Sequence, residues 1–184
     1  MIRAKRVGTK VITGEALLSY PALFEPKAMD EKSAKKYSAS FVFPKTDKDT
    51  LKLVKEAIEE AKENSKDLFG GKIPGNLKSP IHDGDNDKPD DAIYAGCYYI
   101  NAYSTTAPKV VDSSVSDILD TSEIYAGCYV RASINFYAYT KGSKGISAGL
   151  NNVQKLRDGD PIGGKSRAED DFDIIDDDDD DFID

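Results

Sequence analysis

The chain has 184 residues, which is the size of one domain with appendages and is enough to bury a core without disulfides. Its formal net charge is -8, yet residues 169–184 hold eleven acids and no base, which leaves 22 acids against 25 bases in residues 1–168. This mildly basic body permits a polyanionic partner, which an evenly acidic protein would disfavour. Because no apolar run approaches twenty residues, neither secretion nor membrane spanning is expected.

The content of cysteine and histidine is too low for a structural zinc site of four such ligands. Cys97, Cys128 and His82 are the only residues of these types, and a zinc site would need carboxylates to complete it. We therefore expect no cofactor, and buried free thiols in a reducing cytoplasm, with a disulfide between the cysteines as the alternative.

The first third of the chain predicts two strands. Val11–Tyr20 and Tyr37–Phe43 are rich in strand-forming residues, and Pro21 and Pro44 follow them as expected stops. Residues 22–36 mix proline with charge and indicate a loop.

A long helix is predicted over residues 47–66. Thr46 begins a variant of the capping box, and Leu51, Val54, Ile58 and Ala61 then recur at helical spacing. The opposite face carries interleaved lysine and glutamate, so we expect it to be solvated and to bind no ligand.

Residues 68–92 indicate a long irregular connection with an acidic centre. Asp83, Asp85 and Asp87 match the first positions of a calcium loop, but Lys88 stands where the sharp turn needs glycine. An acidic surface turn is therefore favoured. The alternative function that this segment suggests is a metal-dependent nuclease using the loop 82–87.

A six-residue repeat marks the second half of the chain. Ile93–Tyr98 returns unchanged as Ile124–Tyr129, and since this occurs only once, it predicts two similar strands entering one sheet rather than a repeat array. After them, Lys141–Gly145 predicts a basic turn, and Ile146–Leu156 predicts a short strand or a loop.

Alternation along these strands separates an apolar face from an aromatic and polar face. The apolar set, expected in the core, is Val130, Ala132, Ile134, Phe136 and Ala138, with Tyr98, Ile100 and Ala102 in the earlier strand. The other set is Tyr129, Arg131, Ser133, Asn135, Tyr137 and Tyr139, with Cys97, Tyr99, Asn101 and Tyr103 in the earlier strand. The two copies of the repeat thus place Tyr98 and Tyr129 on opposite faces, which predicts a bulge near one Gly-Cys start.

A face that combines aromatic, hydrogen-bonding and cationic side chains suits single-stranded nucleic acid, whose bases stack on rings while its phosphates meet cations. The stacking candidates are Tyr99, Tyr103, Tyr137 and Tyr139; the phosphate-contact candidates are Arg131, Lys36, Lys45, Lys78 and Lys109. Residues 1–10, with Arg3, Lys5 and Arg6, are expected to add a mobile basic arm. The alternative is that the tyrosines serve only in packing.

Residues 159–184 have no core pattern and contain the uninterrupted run Asp176–Asp181, so we expect a disordered acidic tail. Sixteen extended residues reach about 50 Å, far enough to occupy a basic groove in place of DNA. Asp179, Asp180, Asp181 and Phe182 are the candidates for docking on a partner protein. A protein-interaction module that binds no nucleic acid is the second alternative, and solubility alone would also explain the acids.

Short ordered matches over residues 5–165 resemble the phage single-stranded DNA-binding protein family. They include Leu18-Ser-Tyr-Pro21, Lys36-Tyr37-Ser38, Lys78-Ser-Pro80, the strand Tyr125–Ala132 and the segment Gly149–Gln154. The resemblance implies a non-enzymatic OB-fold Greek-key barrel over residues 11–158 that binds single strands in replication or recombination, within the bacterial host cytoplasm. It also implies an acidic C-terminus with an aromatic tip, although Phe182 stands two residues before the end.

Overall fold

The computed structural model describes residues 2–163 and 168–175, and this part of the chain is mainly β-sheet with few helices. Nine strands within it join one sheet. The strands are β1 (Lys5–Val7), β2 (Lys10–Ile12), β3 (Ala16–Lys27), β4 (Lys36–Pro44), β5 (Ile81–Asp83), β6 (Cys97–Ser104), β7 (Lys109–Val111), β8 (Tyr129–Tyr139) and β9 (Gly145–Arg157). The α-helices are α1 (Lys48–Asn64), α2 (Gly84–Asp87) and α3 (Ala168–Asp171), and two 3₁₀ turns span Lys66–Phe69 and Thr121–Glu123.

Five of these strands close into a ring. β3 pairs with β4, β4 with β6, β6 with β9, β9 with β8, and β8 with β3 again. All of these pairings are antiparallel except β6 with β9, which is parallel and consists of the pair Tyr103 and Gly149. Closure pairs the edges that an open sheet would leave free. The short strands β1, β2, β5 and β7 extend the ring at its margins.

Alternate residues of the ring fill its interior, as the sequence pattern predicted. Val130, Ala132, Ile134 and Phe136 of β8 are fully buried, and so are Ile100 and Ala102 of β6. The helix α1 packs against β8, β1 and β2 through a buried stripe. That stripe consists of Val54, Ala57, Ile58 and Ala61.

The predicted helix is confirmed with slightly shorter bounds, but its cap differs. Asp47 is the N-cap: its Oδ1 accepts a hydrogen bond from the Thr50 amide at 3.1 Å, and its Oδ2 accepts one from the Thr50 hydroxyl at 2.6 Å. The cap assigned to Thr46 was therefore one residue too early, because Asp47 satisfies the free amide of the first turn.

Pro21 does not end the first long strand, which continues to Lys27 through residues predicted to form a loop. Ser19 pairs with Ser40 and Ala22 pairs with Ser38, so β3 carries one extra residue beside Pro21. Such a bulge tolerates a proline because it removes a residue from the hydrogen-bonded ladder.

The segment after the basic turn forms β9, a strand of 13 residues rather than a short strand or a loop. Its pairing with β8 shifts twice: Tyr129 faces Arg157 while Val130 faces Lys155, and a second shift follows Ser133. The bulge predicted near a Gly-Cys start therefore occurs beside Tyr129, but the extra residue belongs to β9 and not to β8.

The two copies of the repeat form the same turn. In each copy the cysteine amide donates to the tyrosine carbonyl three residues earlier, at 3.1 Å for Cys97 and 3.2 Å for Cys128. Gly96 and Gly127 have φ values of 67° and 110°, which favour glycine. Both cysteines are free thiols; Cys128 is buried as predicted, whereas Cys97 is half-buried, and burial raises the pKa of each.

The predicted basic arm is partly a strand. Residues 5–7 pair with β2, and Arg6 forms ion pairs with Glu56 at 3.3 Å and Glu60 at 2.7 Å on α1. This part of residues 1–10 is therefore held against the domain instead of forming a mobile arm. Among the described residues no helix is long and apolar enough to cross a membrane.

At the acidic end, the structure describes one helical turn, Ala168–Asp171, followed by exposed residues 172–175. The predicted docking residues Asp179, Asp180, Asp181 and Phe182 lie outside the described residues.

Candidate functional site

Three adjoining clefts on the outer wall of the ring share one side chain, that of Tyr103. Their volumes are about 750, 370 and 300 Å³. We call the surface that they form together the aromatic groove. Tyr103 lies near the end of β6, where it pairs with Ser38 on β4 and Gly149 on β9.

The largest cleft lies between two loops, the one that joins β3 to β4 and the one that joins β8 to β9. Lys27, Lys36 and Met29 line it from the first side, and Lys141 from the second. Three of these four side chains are cationic, and the fourth is a flexible apolar side chain that is largely exposed. The cleft thus combines positive charge with an adaptable apolar contact.

The other two clefts place tyrosine rings beside small residues. Tyr139 lines the second cleft together with Lys78 and His82, and Tyr137 lines the third together with Lys36 and Asn135. The pattern of β8 explains this, because Asn135, Tyr137 and Tyr139 alternate with the buried core residues. Their partners across β9 are Gly149, Ser147 and Gly145.

Small partners leave room for the rings. A Cβ atom at Gly149 would stand 3.4 Å from Cε1 of Tyr137, so the ring lies over a position that has no side chain. Tyr137 is 44% exposed. A ring held against a strand and open on its outer side is suited to stacking with a flat ligand.

The groove is positively charged. Lys27, Lys36, Lys78 and Lys141 line it, and no aspartate or glutamate is among the described residues that do so. Within the described part of the chain, none of these lysines forms an ion pair. Burial raises the pKa of Tyr103, whose phenol is already neutral at neutral pH.

The structure brings together five of the predicted side chains and separates the others. Lys36, Lys78, Tyr103, Tyr137 and Tyr139 all line the aromatic groove. Tyr99, Lys45, Arg131 and Lys109 do not.

Tyr99 lies on the predicted face of β6 but is covered, with 6% of its surface exposed. His82 stacks on its ring at 4.9 Å between centroids, and Tyr94 meets it edge-on at 5.1 Å. Burial and the nearby Asp87 raise its pKa to about 12. The expectation that Tyr99 offers a free ring is therefore wrong, because His82 stacks on the ring and Tyr94 packs against it in a second small apolar cluster.

Lys45 is held by the acidic loop. Its Nζ lies 2.8 Å from Oδ1 of Asp83 and 2.8 Å from Oδ2 of Asp85. These hydrogen bonds raise the pKa of Lys45 and lower the pKa of Asp83. The pKa of Asp85 is also lowered, mainly by a hydrogen bond from the Gly96 amide and secondly by the one from Lys45. The predicted phosphate contact of Lys45 is not supported, because two carboxylates already neutralise its charge.

The loop proposed for the alternative nuclease is occupied by the same contacts, because Asp83 and Asp85 both bind Lys45. The described residues contain no cluster of three or more potential metal ligands.

Arg131 and Lys109 lie outside the groove. Arg131 is on the same face of β8 as Tyr137 but lies six residues earlier along the strand. Its Nη2 donates a hydrogen bond to the Arg3 carbonyl at 3.2 Å. Lys109 is exposed on β7 and pairs with Asn152, whose neighbour Asn151 lines the third cleft.

Lys27, Met29 and His82 are groove residues that the sequence pattern did not indicate. Lys27 and Met29 belong to a segment that was predicted to be an ordinary loop, and only the pairing of β3 with β4 brings that segment next to Tyr103. Lys141 had a signal, since it begins the basic turn.

A separate cavity of about 470 Å³ lies beside the N-terminal residues, away from Tyr103. It is lined in part by Glu15, Asp47 and Asp49. These three carboxylates outnumber Arg3, the one cationic side chain among the described residues that line the cavity, which makes it unfavourable for a polyanion.

Comparison with known proteins shows that the chain is similar to a group of phage proteins. A family model described as the ssDNA-binding protein of Enterobacter phage Enc34 matches residues 9–183. Protein p50 of Acyrthosiphon pisum secondary endosymbiont phage 1 is 34% identical over 174 residues, which make up 90% of this chain and 94% of that protein.

Several solved structures are similar to this chain. The single-stranded DNA-binding protein from bacteriophage Enc34 in complex with ssDNA aligns with a TM-score of 0.76 and 29% identity, covering 89% of this chain and 98% of that one. The single-stranded DNA-binding protein gp2.5 of bacteriophage T7 aligns with a TM-score of 0.60 over 91% of this chain and 92% of that one. At 17% identity this second similarity shows the fold alone.

Proposed function

Because the chain belongs to the Enc34 family of phage single-stranded DNA-binding proteins, we propose that it coats single-stranded DNA with little sequence preference during phage replication or recombination. The family is one of DNA-binding proteins and not of enzymes. The observation that carries the proposal is the aromatic groove, in which one tyrosine is shared by three clefts that are lined by lysines and by no carboxylate among the described residues.

The fold proposed for this function is an OB-fold. The closed ring β3-β4-β6-β9-β8 has the five strands of such a barrel, and its one parallel pairing joins the third strand of the ring in chain order to the fifth. OB-folds bind oligonucleotides on the face of their second and third strands, between the loop that joins strands one and two and the loop that joins strands four and five. In this chain those elements are β4, β6 and the loops at 28–35 and 140–144, which border the groove.

In the proposed mechanism, two kinds of side chain bind different parts of each nucleotide. Bases stack on Tyr103, Tyr137 and Tyr139, and each stacked base contributes about 1 to 3 kcal/mol without requiring a sequence. Phosphates meet Lys36, Lys78 and the other groove lysines and release their counterions. Since stacking and phosphate contacts do not distinguish bases, low sequence preference follows.

The acidic C-terminal residues are proposed to compete with DNA for the groove and to recruit replication or recombination proteins. The support for this is charge: residues 169–184 carry eleven acids, and the groove is cationic. A segment that binds its own groove weakly would be released by DNA and become available to a partner.

Fluorescence anisotropy with labelled oligothymidylate tests the function. We expect the logarithm of the affinity to fall by about 0.7 per neutralised phosphate for each unit of log salt, and so by roughly 3 for the four groove lysines. Duplex of the same length is the control and should bind much more weakly, because its bases are not free to stack. Affinity that is independent of salt, or equal for duplex and single strand, would contradict the proposal.

A further inference from the structure

Tyr20 adopts a strained conformation that the core does not require. Its φ is 46°, in the left-handed region that residues other than glycine rarely adopt, and it lies in the β3 bulge. Its ring is 67% exposed and belongs to neither apolar cluster of the domain. Strained residues that persist without a packing role are frequent at binding sites.

Lys88 is held beside this ring by three tyrosines. Its Nζ lies 4.9 Å from the ring centroid of Tyr20, 4.5 Å from that of Tyr94 and 5.7 Å from that of Tyr99. In the part of the chain that the structure describes, Lys88 forms no ion pair with a carboxylate. Its charge is thus positioned by aromatic rings and remains available to an anion.

Further contacts fix this cluster to the sheet. The hydroxyl groups of Ser19 and Tyr94 are hydrogen-bonded at 2.8 Å, directly before the bulge that carries Tyr20. The hydroxyl of Tyr99 donates to Asp87 at 3.3 Å. The exposed ring and the ammonium therefore stand on a rigid base of buried tyrosines.

The cluster adjoins the aromatic groove through His82. His82 lines the second cleft together with Tyr103, and its ring stacks on Tyr99, which in turn contacts Lys88. Along β6, Tyr99 and Tyr103 are four residues apart, which corresponds to about 13 Å. A strand lying in the groove and leaving it past His82 would meet Lys88 and Tyr20 next.

We propose that Tyr20 and Lys88 form an additional contact for the same single strand, with a base stacked on the Tyr20 ring and a phosphate bound by the Lys88 ammonium. This inference rests on the proposed function, because it extends the path of the ligand beyond the aromatic groove. It also gives a role to the Leu18-Ser-Tyr-Pro21 segment, which the groove itself does not use.

Substitution of Tyr20 by glycine separates binding from stability. Glycine adopts φ = 46° without strain, so Tyr20→Gly should leave the melting temperature unchanged or raise it. Loss of one stacked base should weaken the binding of long oligothymidylate about five-fold or more. Tyr20→Phe is the matched control, since it keeps the ring and should bind like the wild type.

Oligonucleotide length provides the second readout. With oligothymidylates from about 4 to 16 nucleotides, the shortest should occupy only the aromatic groove and bind Tyr20→Gly and the wild type equally. The affinity difference should appear only when the strand is long enough to pass His82. A Tyr20→Gly variant that binds every length as tightly as the wild type would overturn the inference.

Lys88→Ala tests the phosphate contact, with Lys55→Ala on the exposed face of α1 as a control of equal charge. Lys88→Ala should reduce the salt slope by about 0.7, whereas Lys55→Ala should not change it. Equal slopes for both variants would also overturn the inference. If the wild type binds no single strand at any length, the proposed function fails instead, so the two failures are distinguishable.

Discussion

Gly145 lies directly against the backbone of Lys78: a Cβ atom at position 145 would stand 2.7 Å from the Lys78 carbonyl oxygen. That oxygen accepts a hydrogen bond from the Ile146 amide at 3.0 Å, and the Lys78 amide donates to the Lys144 carbonyl at 3.1 Å. The missing side chain therefore lets the segment around Lys78 join the start of β9. This contact places Lys78 and Tyr139 in the same cleft.

Gly145→Ala should weaken both folding and DNA binding. The added methyl group must displace the Lys78 backbone, and overpacking of this kind costs about 1 to 3 kcal/mol of the free energy of unfolding. Thermal melting and an oligothymidylate titration measure the two effects. Gly75→Ala is the matched control, because a Cβ there meets nothing within 4 Å and should change neither.

Tyr137→Ala should weaken single-strand binding with little loss of stability. The ring is 44% exposed, so its removal leaves no large cavity, while a lost stacked base costs about 1 to 3 kcal/mol of binding free energy. Tyr129→Ala is a control on the same face of β8, where the ring is covered by the Arg157 guanidinium at 3.7 Å. If Tyr137→Ala lowers only the melting temperature, the ring serves in packing and the groove is misplaced.

Lys45→Ala should change the pH dependence of stability and not DNA binding. The pKa values of Asp83 and Asp85 are lowered in the folded protein, so their stabilising effect is complete above the unfolded value of about 3.9 and is lost as pH falls through the lower folded values. Without Lys45 the folded pKa of Asp83 rises towards the unfolded one, and the decrease in melting temperature below pH 4 should become smaller.

Lys36→Ala is the comparison for that experiment. Lys36 lines two clefts of the groove and forms no ion pair within the described residues, so its removal should weaken oligothymidylate binding and leave the acid melting curve unchanged. If Lys45→Ala reduces DNA affinity as much as Lys36→Ala does, the ion pairs of Lys45 do not persist in solution.

Removal of residues 169–184 should tighten DNA binding, most clearly at low salt, because the competing anion is gone. Replacement of Asp176–Asp181 by asparagine preserves the length of the chain and removes six charges, so it should reproduce most of the gain. Affinity that is unchanged or weaker in both variants would show that these residues do not compete for the groove.

Alternation was sufficient to predict the faces of β6 and β8 from the sequence. Alternate residues from Val130 to Phe136 are buried, and Tyr137 faces outward, because the period of two follows from strand geometry alone. The long helix was equally predictable from its spacing, apart from its cap at Asp47.

The remaining errors arose where another segment covers or reaches a predicted residue. Tyr99 has the correct parity but is buried by Tyr94 and His82, which no local pattern shows. Lys45 is neutralised by aspartates about forty positions further along the chain. Lys27 enters the groove only because a bulge allows β3 to continue past Pro21. These relationships are tertiary, and a single sequence does not encode them in any short window.

The duplicated Ile-Tyr-Ala-Gly-Cys-Tyr segment has a consequence for the interpretation of mutational scans. Both copies form the same turn, yet Tyr98 packs towards the main core whereas Tyr129 faces outward beneath Arg157. The same residue type in the two copies therefore has different surroundings. A tolerance profile measured on one copy should not be transferred to the other, because an alignment that superposes them would average a ring that packs on the main core with a ring that lies under a guanidinium.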